Sequence, residues 1–581
     1  MNRDFSRLAA LLLCAGLLGA AAPSARGLDA TVIAGDPAFF DPMAAEMKRT
    51  LARLNMEKLG LPYFAAYTVR DTRRIEVSAS FGALRDYEDN RYRRVKVDLR
   101  VGSAQFDNTH YIPKDTWHYA PVTDGLVIEN DNDALRFDLW SVTDRTYKQA
   151  METLSKKKAY KQSRLIKEEL PDLSADPAVV SVGPITEPPF DRPAWEEAVR
   201  KLSAVFKDYP AVQESRVFLY WTQQHVYFLD SQERTSQRDA HDVEFSIEAS
   251  AQAADGMKLS DRRRVIRKVP SSLPPFEELR AEAVTLAKDL TALAAAPAWE
   301  ATYTGPVLFE GPAAGEFFDQ LLARNVSFPR SLWLEEEERM KEYFYSGAFA
   351  GRLGLRVVSP FLSVYDDPAM DVFGGTPLIG HYTTDDQGMR AQKVDLIKDG
   401  ILKDLLMSRE PVKERKVSNG HGRGGSEEHA TAHIGNLFIE ASKTADPKAL
   451  KEELIRQAKG YGLDYGIIVR RMGDESKRGD TDALAAPLLV YKVAVKDGRE
   501  ELVRNAQFMN VTTRALRDIA LASKTRRVHN YYQLGPYRFS RGEVPASIIH
   551  PDILVAEMEL KKSEEKPEKP PVLGHPFFTR K

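Results

Sequence analysis

Two stretches near the start of the chain alternate apolar and polar residues. In TRRIEVSASFGALRD the apolar side chains recur from Ile75 to Phe81, and in RRVKVDLRVG they recur from Val95 to Val101 with charged residues between them. A period of two is typical of antiparallel strands with one buried face. The two stretches therefore predict paired strands, with a turn or loop near residues 86–90.

Longer segments that mix charged and apolar residues predict helices around these strands. Three helices are expected in the first half, at residues 144–168, 195–206 and 276 to about 295. Further strands are expected at SRVFLYW, HVYFLD and DVEFSIEAS, between the second and third helices. The stretch AAAPAWEATYTGP, near residues 294–306, indicates a boundary between two domains.

The second half is rich in strands and turns. LIKDGILKDLL and VYKVAVKDGREELVRN each place Asp-Gly between apolar runs, a strong signal for a β-hairpin. Short helices are expected at PAAGEFFDQLLA and KALKEELIRQAKGYG. The predicted fold class is α+β, with an N-terminal α/β domain of antiparallel sheet and helices (residues 28–300) and a β-rich C-terminal domain (residues 301–562). The Pro- and Lys-rich tail, residues 563–581, is predicted to be disordered.

The N-terminus has the pattern of a secretory signal. Arg3 and Arg7 precede an apolar run at residues 8–22, followed by small residues, and the run is short for a membrane span. Residues 1–27 are therefore expected to be a signal peptide that directs export to the periplasm or the extracellular space, with an uncleaved anchor as the alternative. Cys14 is the only cysteine, so cleavage would leave no cysteine as nucleophile or metal ligand.

Composition indicates a soluble globular protein with more than one domain. Of its 581 residues, 43% are hydrophobic and 29% are charged, and the net charge is -2. The absence of a strongly basic field disfavours nucleic-acid binding through bulk electrostatics. The sequence also lacks a G-x-S-x-G elbow, so it does not indicate a serine hydrolase.

Residues 418–436, SNGHGRGGSEEHATAHIGN, hold three of the 11 histidines. His429 and His433 have the i, i+4 spacing that would place both on one helical face as metal ligands. A helix between Gly425 and Gly435 would be short and marginal, and a catalytic zinc needs a third protein ligand. A polar connector is therefore the favoured interpretation, with a metal site at the two histidines as the alternative.

The glycine-rich part of this stretch, NGHGRGG, could hold an anion through backbone N–H groups or let its backbone approach an extended peptide. It lacks the Lys-Ser/Thr ending of a P-loop, so nucleotide binding is weakly supported. Arg423 is a candidate for anchoring a carboxylate. Asp366, Asp367, Asp385 and Asp386 could bind a cation or act as acid and base groups, although turn formation is the commoner role of such pairs.

The order of segments in the second half resembles the TldD/PmbA family, once called modulators of gyrase. The similar segments are GRLGLRVVSPFLSVYDDP, TTDDQGMRAQKVDLIKDGILKDLLMSR, SNGHGR, GNLFIEASKT and DGREELVRNAQFMNVTTRALRDI. DLRVGSAQFDN and SAQAADGM in the first half are also similar, so the likeness covers most of residues 60–560. The resemblance implies an N-terminal α/β domain, a β-rich C-terminal domain, a dimer, and relation to zinc metallopeptidases that cleave peptides in a closed chamber.

In active members of the family, H-E-x-x-x-H begins the first C-terminal helix, where two histidines bind zinc and the glutamate activates a water. A cysteine ligand comes from later in the chain. The similar segment here is PVLFEGPAAGEFFDQLL, which places Glu310 and Gly315 at the two histidines and Gly311 at the glutamate. A shifted alignment places Glu316 at a ligand position, but an all-carboxylate site suits a hard cation better than zinc. The resemblance is closer to the PmbA or TldE branch, which pairs with a catalytic TldD subunit and does not hold the metal.

The sequence therefore predicts an exported TldD/PmbA-type protein without the zinc ligands, either a peptide-binding pseudo-peptidase or the partner subunit of an active protease. It is expected to bind peptide or unfolded polypeptide, to form a homodimer or a heterodimer with a TldD-type subunit, and to need no metal cofactor. Neither nucleic acid nor a membrane span after signal cleavage is expected. The candidate residues of the substrate groove are Glu310, Glu316, Asn419, Gly420, His421, Gly422 and Arg423.

The alternative hypothesis is an active metallopeptidase with a rearranged zinc site. It would combine His421, His429 or His433 with Glu310 or Glu316. A structural protein of the cell envelope is a third hypothesis. In all three, the signal-like N-terminus distinguishes this chain from the familiar members of the family, which are cytoplasmic.

Overall fold

The computed structural model describes most of the chain. The described residues are 34–55, 60–116, 120–167, 169–327, 329–336, 347–473, 484–535, 543–565, 567–576 and 578. The predicted signal peptide, residues 1–27, and Cys14 within it lie outside them. Across the described segments, every helix is too short or too polar to span a lipid bilayer.

Helices and strands are distributed over both halves of the chain. The helices are α1 (Pro37–Arg53), α2 (Asn132–Ser163), α3 (Arg192–Ala204), α4 (Phe276–Ala295), α5 (Pro312–Phe318) and α6 (Pro447–Gly460). The strands of the first half are β1 (Phe64–Ser80), β2 (Ala83–Arg100), β3 (Gly102–Ser103), β4 (Phe106–Asp107), β5 (Tyr111–Ile112), β6 (Val122–Leu126), β7 (Val180–Val182), β8 (Val212–Asp230), β9 (Thr235–Asp239), β10 (Asp242–Gln252) and β11 (Lys258–Arg267). Those of the second half are β12 (Tyr303–Phe309), β13 (Trp333–Leu334), β14 (Leu362–Asp366), β15 (Val372–Phe373), β16 (Thr376–Pro377), β17 (Val394–Lys398), β18 (Ile401–Leu402), β19 (Gly422–Arg423), β20 (Thr431–Ala432), β21 (Asn436–Ala441), β22 (Thr444–Ala445), β23 (Tyr465–Met472), β24 (Pro487–Ala494), β25 (Glu500–Val503), β26 (Ala506–Met509), β27 (Ile519–Leu534) and β28 (Glu543–Lys562).

The N-terminal sheet is antiparallel along its main path, in the order β11-β10-β8-β1-β2-β6. Residues of odd number on β1 lie on one face, where Tyr67 and Val69 pack against α1 and α2, and Ile75 and Val77 pack against α3 and α4. One face of the sheet therefore carries two apolar cores, one at each end of its long strands. The opposite face, which includes Arg70, turns towards the second half of the chain, because the Arg70 guanidinium lies 3.5 Å from the Asp386 carboxylate.

The C-terminal domain is built on a mixed sheet with the main order β18-β17-β14-β21-β28-β12-β23-β24-β25. Its long strand β28 pairs antiparallel with β12, β26 and β27 and parallel with β21. α5 packs on β23 and β28, and α6 packs on β12 and β23. These elements confirm the predicted α+β class.

The two Asp-Gly hairpins are confirmed. Asp399 and Gly400 both have positive φ, 49° and 80°, in the tight turn between β17 and β18, and Gly498 has φ 71° between β24 and β25. The loop predicted at residues 86–90 is wrong, because β2 continues through it and the turn lies at Phe81 and Gly82 instead. HVYFLD and SRVFLYW are parts of one strand, β8.

The described part of the tail beyond residue 562 contains neither helix nor strand. It extends over the N-terminal domain, where the Glu568 N–H donates to the Gly256 carbonyl at 3.1 Å. Gly256 has φ 92°, and a Cβ there would lie 1.9 Å from the Glu568 carbonyl oxygen.

Candidate functional site

A groove of about 1170 Å³ lies between the N-terminal sheet and the C-terminal domain. It is lined by β11, by β27, by the end of β23 and by the start of α5. β11 is the edge strand of its sheet and contacts β27. A cleft of this size at a domain boundary is a typical place for a ligand.

The start of α5 is the segment that the family resemblance aligns with the zinc motif H-E-x-x-x-H. Gly311 precedes the helix with φ 55°, and its N–H donates to the Asp552 carboxylate at 2.8 Å. Pro312 follows at the first helical position, which tolerates its missing N–H. The Glu310 carboxylate forms an ion pair with Arg470, and the Arg470 Nε lies 2.9 Å from its nearer oxygen. The carboxylate at the first predicted ligand position is therefore already paired.

Gly315 lies at the predicted second ligand position, and it is closely packed. A Cβ there would lie 2.8 Å from the His529 ring and 2.9 Å from the His550 Nε2. Real Cβ atoms do not make contacts this short, so the two imidazoles occupy the volume that a side chain would need. Residues 310, 311 and 315 thus supply one paired carboxylate and no imidazole, which does not fit a zinc ion.

Glu316 follows on the groove side of the helix, where it is half-buried. Burial raises its pKa to about 7; the Arg471 and Arg264 guanidinium groups oppose the rise, and Asp261 and Asp319 add to it. Its carboxyl has no hydrogen-bond partner among the described residues. A carboxyl group of this pKa in a cleft can exchange a proton near neutral pH.

His529 on β27 and His550 on β28 are the residues of the groove that the sequence did not indicate. Burial lowers the pKa of His529 to about 3 and that of His550 to about 4, so both rings are neutral at pH 7. The His550 Nδ1–H donates to the Pro551 carbonyl at 3.1 Å, which leaves Nε2 as a bare acceptor. The rings lie 6.5 Å apart between centroids. Neither belongs to a motif, and strand pairing alone brings them to Gly315.

Of the seven predicted groove residues, Glu316 alone lines this groove. The predicted groove residues of the loop, from Asn419 to Arg423, bond to other parts of the C-terminal domain instead. His421 is completely buried, with Nε2 3.1 Å from the Asp366 carboxylate and Nδ1 3.0 Å from the Asn419 side-chain oxygen. Arg423 donates to the carbonyls of Ile434 (2.9 Å) and Pro545 (2.7 Å).

The loop needs glycine at positions 420 and 422, because a side chain at either position would collide with neighbouring atoms. Gly420 has φ 75°, and a Cβ there would lie 2.1 Å from the Arg390 carbonyl oxygen. The Gly422 N–H donates to the Asp385 carboxylate at 2.8 Å, and a Cβ would lie 2.1 Å from Gln387. The close backbone approach predicted for the loop is therefore made to its own chain. A role for the loop in substrate binding stays a prediction.

His429 and His433 do not share a helical face. β19 and β20 form an antiparallel pair, Gly422 with Ala432 and Arg423 with Thr431, so the intervening segment is a hairpin. The His433 Nδ1 lies 3.0 Å from the Thr431 carbonyl, and burial lowers the pKa of His433 to about 4. The helix that the alternative metal site required is therefore wrong, and the site itself stays a prediction.

Asp385 and Asp386 organise the turn and the domain contact. The Asp385 carboxylate accepts the N–H groups of Gln387 (2.9 Å) and Met389 (2.8 Å), and burial raises its pKa to about 6. Asp386 pairs with Arg70 and Arg238 of the N-terminal sheet, and despite its burial these cations hold its pKa well below the usual range.

A separate group, His225, Asp239 and His241, has potential metal-ligand atoms close together on the N-terminal sheet. The His241 Nδ1 accepts the Gln224 N–H at 3.0 Å, so the proton is on Nε2, which lies 3.1 Å from the Thr186 carbonyl. A metal bound to Nε2 would require that proton to move to Nδ1. There it would face the Gln224 N–H, which is also a donor. Both nitrogens thus already serve the local backbone, which disfavours a metal.

The chain is similar in sequence and in fold to known proteins. Residues 302–562 match the family model described as the PmbA/TldA metallopeptidase C-terminal domain. A metalloprotease of Archaeoglobus fulgidus is 30% identical over 102 residues, 18% of this chain and 23% of that protein. A metalloprotease of Methanocaldococcus jannaschii is 28% identical over 123 residues, 20% of this chain and 26% of that protein. The chain thus matches about a quarter of the length of these curated relatives.

Solved structures share the fold over most of the chain. TldE of Thermococcus kodakarensis has 14% identity and a TM-score of 0.52, covering 86% of this chain and 96% of that chain. A protein of Thermotoga maritima described as a candidate modulator of a DNA gyrase has 15% identity and a TM-score of 0.56, with the same coverage. At these identities the likeness concerns the fold alone.

Proposed function

Because this chain belongs to the TldD/PmbA family, we propose that it is an exported relative of the metallopeptidases that binds extended peptides without a metal of its own. It serves as a pseudo-peptidase or as the partner of an active TldD-type subunit. The observation that carries the proposal is the start of α5, where Gly311 and Gly315 provide no ligand side chain while the groove beside them stays open.

The outer edge of β11, which has no neighbouring strand in its sheet among the described residues, supports peptide binding. In its pairing with β10, alternate residues direct their backbone groups away from the sheet. Arg262 and Ile266 are two of these, because their carbonyls accept from the side chains of Arg471 (2.6 Å) and Asn530 (3.3 Å). Arg264 lies between them. An extended peptide can hydrogen-bond to such an edge as an added strand, largely independently of its side chains.

Packing at Gly315 supports the absence of zinc chemistry. A histidine at this position would displace His529 and His550, whose rings occupy the required volume. The alternative zinc site is less well supported, because His421 is bonded to Asp366 and Glu310 is paired with Arg470. What remains in the groove is a carboxyl group, Glu316, beside two neutral imidazole acceptors.

The test measures peptide cleavage by the chain alone, by a catalytic relative from the same cell alone, and by both together. The proposal predicts no cleavage by the chain alone, a gain when the two are mixed, and substoichiometric zinc by elemental analysis. Cleavage by the purified chain that stops with a chelator would refute the metal-free assignment. Export is tested separately, by locating the full-length chain and a form without residues 1–27 in cell fractions.

A further inference from the structure

The side chains that line the groove carry more positive than negative charge. Of the residues that the structure describes, eight arginines, no lysine and five carboxylates line it. The excess is local, since the chain as a whole has a net charge of -2. A guanidinium offers a planar fork of donors that matches a carboxylate in a bidentate pair, which a lysine cannot do.

Several of these arginines already have an anionic partner. Arg262 pairs with Glu244 and with Glu248, and Arg471 lies 3.1 Å from the Asp261 carboxylate. Within the described residues, Arg264 and Arg267 on β11 have no carboxylate partner. On β11, the guanidinium groups of Arg264 and Arg267 are therefore available to bind an anionic ligand.

Arg267 is the more buried of the two arginines. It is half-buried, and burial alone lowers its pKa, with no opposing anion. Among the described residues, its guanidinium makes one hydrogen bond, from Nη1 to the Ile266 carbonyl at 2.8 Å. A partly buried cation without a counter-charge is unfavourable in the free protein. A ligand carboxylate would supply the missing charge.

The positive charge of Arg264 acts on other side chains that line the groove. Its guanidinium lies over the Tyr532 ring, 5.9 Å from the centroid, and the Tyr532 hydroxyl donates to Asp242 at 2.6 Å. The Arg264 charge lowers the pKa of both Glu316 and His529. The same residue lies on the outer edge of β11, so a peptide paired there would pass next to its side chain.

We infer that the guanidinium groups of Arg264 and Arg267, which both line the groove from β11, bind carboxylates and so select extended peptides with acidic side chains. The inference rests on the proposed peptide-binding function and adds the substrate class. A peptide is favoured over a nucleic acid because five carboxylates line the same groove as the arginines. They would repel a continuous row of phosphates, whereas separate side-chain carboxylates can avoid them.

The experiment compares two short fluorescein-labelled peptides that differ only in two glutamates replaced by glutamines. Fluorescence anisotropy at low and at moderate salt measures their binding to the full chain. We expect the glutamate peptide to bind about tenfold more tightly, the usual size of one charge-assisted contact, with a smaller difference at higher salt. The double variant Arg264→Gln/Arg267→Gln should lose this preference and still bind the glutamine peptide.

The matched control is Arg517→Gln, an exposed arginine outside the groove lining, which should keep the preference. Thermal unfolding of each variant verifies that it is folded. Equal binding of both peptides by the unmodified chain would overturn carboxylate binding by these arginines while leaving the proposed function intact, whereas binding of neither would overturn both. An oligonucleotide that competes as strongly as the glutamate peptide would overturn the peptide assignment in favour of a general anion surface.

Discussion

Replacing Glu316 with glutamine should stabilise the protein above neutral pH. Burial raises the pKa of Glu316 from 4.5 to about 7. A carboxyl group whose pKa is higher in the folded than in the unfolded protein costs stability as pH rises through that interval, because the unfolded state then gives up its proton more readily. The cost is absent well below pH 4.5 and complete above pH 7.

The size of the effect follows from the pKa difference. At about 1.4 kcal/mol per unit, the shift corresponds to about 3 kcal/mol. The side chain is only half-buried at the groove wall, so solvent screening reduces this, and we expect about 1.5 kcal/mol. The glutamine variant removes the titrating group and should therefore gain about this free energy of unfolding at pH 8 and almost none at pH 4.

Urea unfolding followed by tryptophan fluorescence, repeated over this pH range, measures the difference between the variant and the unmodified chain. Subtracting one from the other cancels the titrations that both proteins share. Glu501→Gln, on the exposed side of β25, is the matched control and should show no such pH dependence. A Glu316→Gln variant with a constant or negative difference across the range would refute the argument.

Three other substitutions test the packing and charges around the groove and the domain contact. Gly315→Ala places a Cβ within 3 Å of two imidazoles and should lower the free energy of unfolding by about 2 kcal/mol. The control is Gly460→Ala, where a Cβ meets no atom within 4 Å, and it should not lower the free energy of unfolding. The pKa of His550 is lowered from 6.5 to about 4, so the folded state loses stability as pH falls through this interval. His550→Gln should reduce that loss, as seen in thermal unfolding at pH 7 and pH 4.5; an unchanged loss would contradict it. Asp386→Asn leaves two guanidinium groups without their counter-charge and should cost about 3 kcal/mol in urea unfolding at pH 7, and a neutral effect would show that the ion pairs contribute little.

Local signals predicted the elements whose structure depends on nearby residues. α4 spans Phe276–Ala295, as expected, because its apolar residues recur at helical spacing over five turns. The Asp399-Gly400 turn formed because these two residue types accept positive φ at little cost. The resemblance to the TldD/PmbA family was likewise carried by short segments and is confirmed.

Other predictions failed where distant residues decide. The polar run at residues 86–90 was predicted to be a loop, but β2 continues there and Arg73 of β1 pairs with Asp89 at 2.7 Å. A strand beyond the apolar core can thus be stabilised by cross-strand ion pairs, which the apolar pattern does not report. The histidine spacing at residues 429–433 was compatible with a helix only as the alternative to a polar connector, and the pairing of β19 with β20 produced a hairpin there.

The sequence by itself determined the fold class, the resemblance to the family and the presence of glycine at positions 311 and 315, because these are properties of residues that stand close together in the chain. The tertiary structure alone decided what surrounds them. His529 and His550 reach Gly315 because β27 and β28 pair beside α5, and Arg264 reaches the same groove from the other domain. Such contacts depend on sheet order and domain packing, so no local spacing in the sequence encodes them.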